Sequence, residues 1–229
     1  MGFGEGNEER AGDSSNRVIV VATRNKGKIG EFAAMFGELG FTVRSLLDYA
    51  EAIDVVEDQD TFLGNALKKA KETAERLQVP VLADDSGLEV DALAGAPGVY
   101  SARYAGEPTD DAANNDKLLR ELARQGTPER LAAGAASEEA VFVYSAARFV
   151  SVLVLYNPAD GSWLHAEGTC RGYILSERRG EGGFGYDPLF YLPEFGKTLA
   201  EMTMADKNKV SHRGHALGTL REKLAAENG

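Results

Sequence analysis

The chain has 229 residues, 43% hydrophobic and 27% charged, enough apolar material for a sizeable core in one large domain or two packed lobes. Its 36 acidic against 25 basic side chains give a formal net charge of −11, which argues against a protein that tracks a nucleic-acid backbone but not against one that binds a small polyanion through a local Lys/Arg cluster. One cysteine, Cys170, excludes an intrachain disulfide, no run is long enough to span a membrane, and no basic-then-apolar leader opens the chain, so a reducing, cytoplasmic setting is expected.

Residues 1–16 are polar and glycine-rich without periodicity, the composition of a disordered tail, leaving 17–229 as the domain. Val18–Ala22 is a continuous apolar run of strand length, the pattern of a strand buried on both faces. It opens into Thr23-Arg24-Asn25-Lys26-Gly27-Lys28. Ile29, Phe32, Ala33 and Phe36 then follow at helical spacing up to Gly40. A polar loop between a buried strand and a helix N-terminus is an anion site by geometry, because free N–H groups and the positive dipole end face it. A solvated basic turn has the same composition. Phe41–Ser45 reads as a second strand, and Thr61–Leu77 as a helix with Leu63, Ala66, Leu67, Ala70, Ala74 and Leu77 inward, preceded by the acidic Glu57-Asp58-Gln59-Asp60.

Val79–Ala83 then feeds into Asp84-Asp85-Ser86-Gly87, read as a strand end opening into a polar turn. Neighbouring strand residues point to opposite faces, so one aspartate is the working carboxylate and the other a supporting group. Thr109–Ala123 is the next helix, with Leu118, Leu119 and Leu122 inward, and Gln125–Glu139 reads as an Ala/Gly/Glu surface loop. Val141–Tyr156 and Ser162–Tyr173 form a β-hairpin around Asn157–Gly161. Gly180-x-Gly182-x-x-Gly185 formally matches a dinucleotide-binding pattern. No helix can follow it through Pro188 and Pro193, so the glycines instead let backbone approach a flat ligand, with Phe184 or Tyr186 for stacking. Thr203 to Asp206 has capping-box spacing before a last helix that buries Leu217, Leu220 and Leu224.

No serine–histidine arrangement supports a hydrolase triad, and one cysteine with three histidines builds no zinc cage. Carboxylates together with Lys and Arg fit Mg²⁺-assisted chemistry on phosphates. The ordered set Thr23-x-Asn25-x-x-Lys28, Ala83-Asp84-Asp85-Ser86-Gly87-Leu88, Gly182-Gly183-Phe184-Gly185-Tyr186-Asp187-Pro188 and Ser211-His212-Arg213-Gly214 resembles the inosine triphosphate (dITP/XTP) pyrophosphatases. Glu57, Thr61-Phe62-x-x-Asn65-Ala66 and Lys207 match between these blocks; Arg24 departs, at a position where many members carry a small residue.

The resemblance implies an elongated α/β fold, with a long twisted mixed sheet, helices around it and two lobes forming a central cleft, usually as a homodimer. It implies Mg²⁺-dependent hydrolysis of deaminated purine nucleoside triphosphates (ITP, dITP, XTP) to the monophosphate and pyrophosphate. Carried over by position, Thr23, Arg24, Asn25, Lys26, Gly27 and Lys28 cradle the phosphates, Glu57 and Asp85 hold Mg²⁺, and Asp85 is also the general base. Ser86 touches substrate, Phe184, Gly185, Tyr186 and Asp187 border the base, and Lys207, His212 and Arg213 close the site, Arg213 and His212 as donors to the base oxygen. A nucleotide-binding sensor without turnover could share such a cleft, but retaining both Asp85 and Glu57 favours the enzyme.

Overall fold

The computed structural model describes residues 17–50, 54–131 and 140–227. The expected tail at 1–16 and residues 132–139 of the Ala/Gly-rich insert lie outside them. Among the described residues, eight strands form one open, twisted mixed sheet: β1 (Arg17–Val21), β2 (Phe41–Ser45), β3 (Val81–Val90), β4 (Glu129–Arg130), β5 (Phe142–Tyr156), β6 (Trp163–Leu175), β7 (Phe190–Leu192) and β8 (Lys197–Thr198). The order is β2-β1-β3-β5-β6-β7-β8, with β4 on the far part of β5. β1 runs parallel to β2 and β3, and every later pairing is antiparallel. The expected mixed α/β architecture is present.

The α-helices are α1 (Lys26–Gly37), α2 (Phe62–Leu77), α3 (Asp111–Gln125), α4 (Met204–Val210) and α5 (His212–Glu227), with a 3-10 turn at Gly98–Arg103 that bears on the site. α2 lays Phe62, Ala66, Ala70 and Ala74 on the face formed by Val81, Ala83, Val150, Val152 and Val154. α1 and α5 cover the opposite face, where Phe32, Phe36, Leu217 and Leu220 meet Leu82 and Leu153. Further along that face, α3 packs Leu118 and Leu122 on Leu88, Val90 and Phe149. Alternation along β3 therefore sends its odd residues toward α2 and its even residues toward α1, α3 and α5.

Three expectations are corrected. Asp84-Asp85-Ser86-Gly87 is not a turn but the middle of a ten-residue strand. An unbroken ladder with β5, from Val81↔Tyr156 to Val90↔Ala147, holds turn-prone residues extended; tertiary pairing overrides local preference. The insert is not all loop, because Glu129 and Arg130 pair with Val143 and Phe142 as β4. The inward face of α1 is Glu31, Phe32, Met35 and Phe36, while Ala33 is exposed. A charged residue thus sits in the buried stripe, and its reason lies in the site.

Candidate active site

β1 pairs with β3 only at Val81 and Leu82. Between Ala83 and Gly87, no strand among the described residues lies on that side of β3, and the sheet opens into a cleft where parallel pairing gives way to antiparallel. Such switch points, at the carboxyl ends of parallel strands, are where α/β sheets take ligands. The chain leaving β1 turns across the opening and enters α1. Asn25 caps that helix, its Oδ1 accepting from Lys28 N at 3.0 Å, and Thr23 Oγ1 accepts from Asn25 N at 3.2 Å. The N-terminus of α1 is thereby aimed at the middle of β3.

Asp84 and Asp85 occupy opposite faces, as alternation requires. Asp84 is fully enclosed. Its carboxylate meets Lys28 Nζ at 2.8 Å and Arg213 Nε at 3.2 Å, and accepts from Ser151 Oγ at 2.7 Å and Ser86 Oγ at 3.1 Å. Burial would raise its pKa, but Lys28 and Arg213 outweigh that and hold it well below the usual carboxylate range. Asp85 faces α2. Its Oδ1 accepts from Ser86 N at 3.0 Å, while its buried Oδ2 has no hydrogen-bond partner. Burial, with Glu57 and Asp84 adding to it, pushes the carboxyl up to about 6 despite Lys69 and Lys28. Glu57 beside it ion-pairs with Lys69 and lies 3.8 Å from Arg103 Nη1, whose Nη2 also donates to the Glu57 carbonyl at 3.0 Å. Although burial opposes it, Lys69, Lys28 and Arg103 keep the Glu57 carboxyl low.

Two adjoining cavities meet along Asn25, Lys28, Ser86 and Ala102, which line both. The polar one adds Thr23, Arg24, Glu57, Lys69 and Asp85. The other is walled by Phe149, Phe184, Gly185, Tyr186, Asp187, His212 and Arg213. Here His212 stacks on Phe149, centroids 4.7 Å apart and planes 13° apart, and its Nδ1 has no partner. Burial, helped by Arg213 and Lys207, drives the imidazole well below its ordinary pKa, so this wall is neutral at His212. Tyr186 is buried and donates its hydroxyl to the Ser101 carbonyl at 2.8 Å. Phe184 is the accessible aromatic. Its ring rests on Gly27, where a β-carbon would collide with it, and lies beneath Lys207 Nζ at 4.7 Å and the Arg213 guanidinium at 5.3 Å.

Arg213 and Lys207 are more committed than expected. Arg213 donates from Nε to Asp84, from Nη1 to Glu31 at 2.8 Å and from Nη2 to Ser86 Oγ at 2.7 Å. Its guanidinium is spent on protein groups instead of standing free as a donor to a base. Lys207 is buried between Glu31 and Asp187, 2.6 Å from each. It lines a separate chamber with Gly27, Glu31 and Phe184, outside those two cavities. Burial raises the Asp187 carboxyl in spite of Lys207. Lys26 is exposed at the start of α1 and lines neither main cavity, and Arg24 turns to Asp54 at 2.8 Å and the Leu46 carbonyl at 3.2 Å.

The profile of the Ham1 family matches residues 19–223. The chain belongs to that family. A relative in Halalkalibacterium halodurans named dITP/XTP pyrophosphatase is 51% identical over 201 residues, covering 88% of this chain and 95% of its own. The solved Ham1 protein of Staphylococcus aureus is 39% identical with a TM-score of 0.72, over 92% of this chain and all of that one. That of Coxiella burnetii is 36% identical with a TM-score of 0.75, over 92% and 99%.

Within this Ham1 site, the motif reading missed Glu31, Lys69, Arg103 and Phe149. Glu31 lies one helical turn before buried Met35, and Lys69 beside buried Ala70, so a charge next to an apolar stripe was the available signal. Among the described residues, no group of three or more His, Cys, Asp or Glu could form a closed metal cage. The unpartnered Asp85 Oδ2 next to Glu57 fits an ion that takes one or two carboxylates and completes its shell with water and phosphate oxygens, as Mg²⁺ does.

Proposed function

We propose that this chain is a Mg²⁺-dependent nucleoside triphosphate pyrophosphohydrolase acting on the deaminated purine nucleotides ITP, dITP and XTP. The observation that carries this is Asp85: a buried carboxyl raised to about 6, with one oxygen unpartnered, in a polar cavity that adjoins an aromatic one. The name of the Halalkalibacterium halodurans relative, dITP/XTP pyrophosphatase, supports dITP and XTP among these substrates.

In this reading, Asn25 and Lys28 at the N-terminus of α1 bind the phosphates, with Thr23, Arg24, Lys26 and Gly27 completing the loop. Lys28 and Lys69 oppose the negative charge that develops on the bridging oxygen. Glu57 and Asp85 would hold Mg²⁺, which when bound neutralises phosphate oxygens. Asp85 takes a proton from the attacking water, whose oxygen bonds to the α-phosphorus as the bond to the bridging oxygen breaks and pyrophosphate leaves. Phe184 stacks on the base, with Gly185, Tyr186 and Asp187 bordering it. The open Nδ1 of neutral His212 and backbone groups of the 184–187 loop read its edge. Lys207 and Arg213 hold that wall in place through Glu31, Asp187, Asp84 and Ser86.

We further propose a single two-lobed domain from residue 17 onward, acting as a cytoplasmic homodimer. No helix among the described residues is long and apolar enough to cross a membrane. The test of the chemistry is product analysis with ITP. IMP and pyrophosphate, formed with Mg²⁺ and not with EDTA, are expected; IDP and phosphate would overturn the assignment, and full activity in EDTA would remove the metal.

A further inference from the structure

Phe184 can serve as a stacking platform only if its loop is held, since residues 182–185 are glycine-rich and Gly183 and Gly185 both have positive φ, 74° and 62°. Part of the hold is local: Asp187 Oδ2 accepts from Phe184 N at 2.9 Å. The rest comes from α3, 70 residues away in sequence. Gly185 N donates to Asp111 Oδ2 at 2.7 Å, and the Gly185 carbonyl accepts from Asn115 Nδ2 at 2.7 Å. Both polar groups of one residue are thus gripped by the first two turns of one helix. Asn115 is 3% exposed. Its amide nitrogen also donates to the Asp111 carbonyl at 2.6 Å, while its Oδ1 stays buried and unpartnered. The helix itself needs neither contact, since Asp110 caps it by accepting from Ala113 N at 2.8 Å. A buried amide with an unsatisfied oxygen costs stability, and what it secures is the carbonyl next to Phe184.

We propose that Asn115 and Asp111 position the Gly185 peptide, and through it the Phe184 ring, so that α3 sets affinity for the base and not for the triphosphate. Asn115 lines neither cavity, whereas Asp111 also lines the aromatic one, and both are positioning residues. The proposal deepens the assignment above and rests on Phe184 being the base platform.

The test uses the full chain with Mg²⁺. Wild-type turnover of ITP is measured first; its absence would sink the functional reading and the proposal with it. Asn115→Leu keeps the branched shape and removes the hydrogen bond to the Gly185 carbonyl, together with the one inside α3 to the Asp111 carbonyl. Its expected effect is a KM for ITP raised roughly three- to tenfold with little change in kcat, the scale of one lost hydrogen bond of modest net worth. Inhibition by inorganic triphosphate, which occupies only the phosphate loop, is expected to be unchanged. In a Phe184→Ala background the same substitution should add nothing. An unchanged KM in folded Asn115→Leu overturns the proposal. So does a parallel loss of inorganic triphosphate affinity, or an effect that persists without Phe184. Should Asn115→Leu fail to fold, exposed Asp111 gives the answer. Asp111→Ala should raise KM for ITP and Asp111→Asn, which keeps the acceptor, should restore it; equal behaviour of the two contradicts the assignment.

Discussion

At the scale of single residues, the neighbours Asp84 and Asp85 are both buried but driven in opposite directions. Asp84 is charged and neutralised by Lys28 and Arg213, so it is part of the frame. Breaking a buried pair by removing one partner typically costs about 3–5 kcal/mol, and Asp84→Asn should lower the urea midpoint accordingly. Asp85 lacks such compensation. Because its carboxyl is raised to about 6 in the fold, the unfolded chain releases the proton at lower pH than the folded one does. Folded stability therefore falls as pH rises from the ordinary aspartate range through about 6, by on the order of 3 kcal/mol. Asp85→Asn removes that penalty. In EDTA at pH 7 the variant should be more stable than wild type, the difference shrinking toward pH 4, while its activity with Mg²⁺ falls about 100- to 10,000-fold. Urea titrations at the two pH values check the first part. A variant less stable than wild type at pH 7 would mean that the carboxylate is already compensated.

At the scale of elements, the regular parts were legible and the bent expectations share one cause. β1, β2, the β5–β6 hairpin and α2 follow from apolar runs and helical spacing, because each is defined by its own residues. β3 was misread at Asp84–Gly87 because its extension is dictated by β5, whose register is invisible from the local sequence. The same limit hid Glu31: its partners, Lys207 and Arg213, arrive from 176 and 182 residues downstream. Most site residues drawn from the motif blocks line the two cavities, though Lys26, Gly27 and Lys207 do not, and the blocks carry no sign of which cations are tied to protein carboxylates. Helix placement carries its own prediction. At Gly168, on β6, a β-carbon would collide with the His212 carbonyl and the backbone of Ala216, so glycine is what lets α5 lie against the sheet. Overpacking of this kind typically costs about 1–3 kcal/mol. Gly168→Ala should lower the urea midpoint and, by moving the start of α5 with His212 and Arg213, raise KM for ITP. An unaltered KM with lowered stability would show that α5 carries no part of the base wall.

Over the whole molecule, the net charge of −11 contrasts with a site whose cavities are lined by Lys28, Lys69 and Arg213, with Lys207 and Arg103 beside them. A net acidic chain is poorly matched to a nucleic-acid polymer, while these cations, most of them partly neutralised by Glu31, Glu57, Asp84 and Asp187, suit one nucleoside triphosphate. If the protein works as a homodimer, light scattering after size exclusion should give twice the chain mass; a single-chain mass at micromolar concentration would contradict that assembly. The central claim is a preference for deaminated purines, since hypoxanthine and xanthine carry an oxygen at C6 and an N1–H donor where adenine carries an amino group and an acceptor. A pocket whose hydrogen-bonding groups are buried discriminates strongly against the mismatched pattern. The direct test is steady-state pyrophosphate release with Mg²⁺ from ITP, XTP, ATP and GTP, with Asp85→Asn as control. The expected result is kcat/KM for ITP and XTP on the order of 100-fold or more above that for ATP, with GTP, which shares the C6 oxygen and N1–H, disfavoured only through its 2-amino group, and each rate falling about 100- to 10,000-fold in the variant. Equal turnover of ITP and ATP, or activity undiminished in Asp85→Asn, would contradict it.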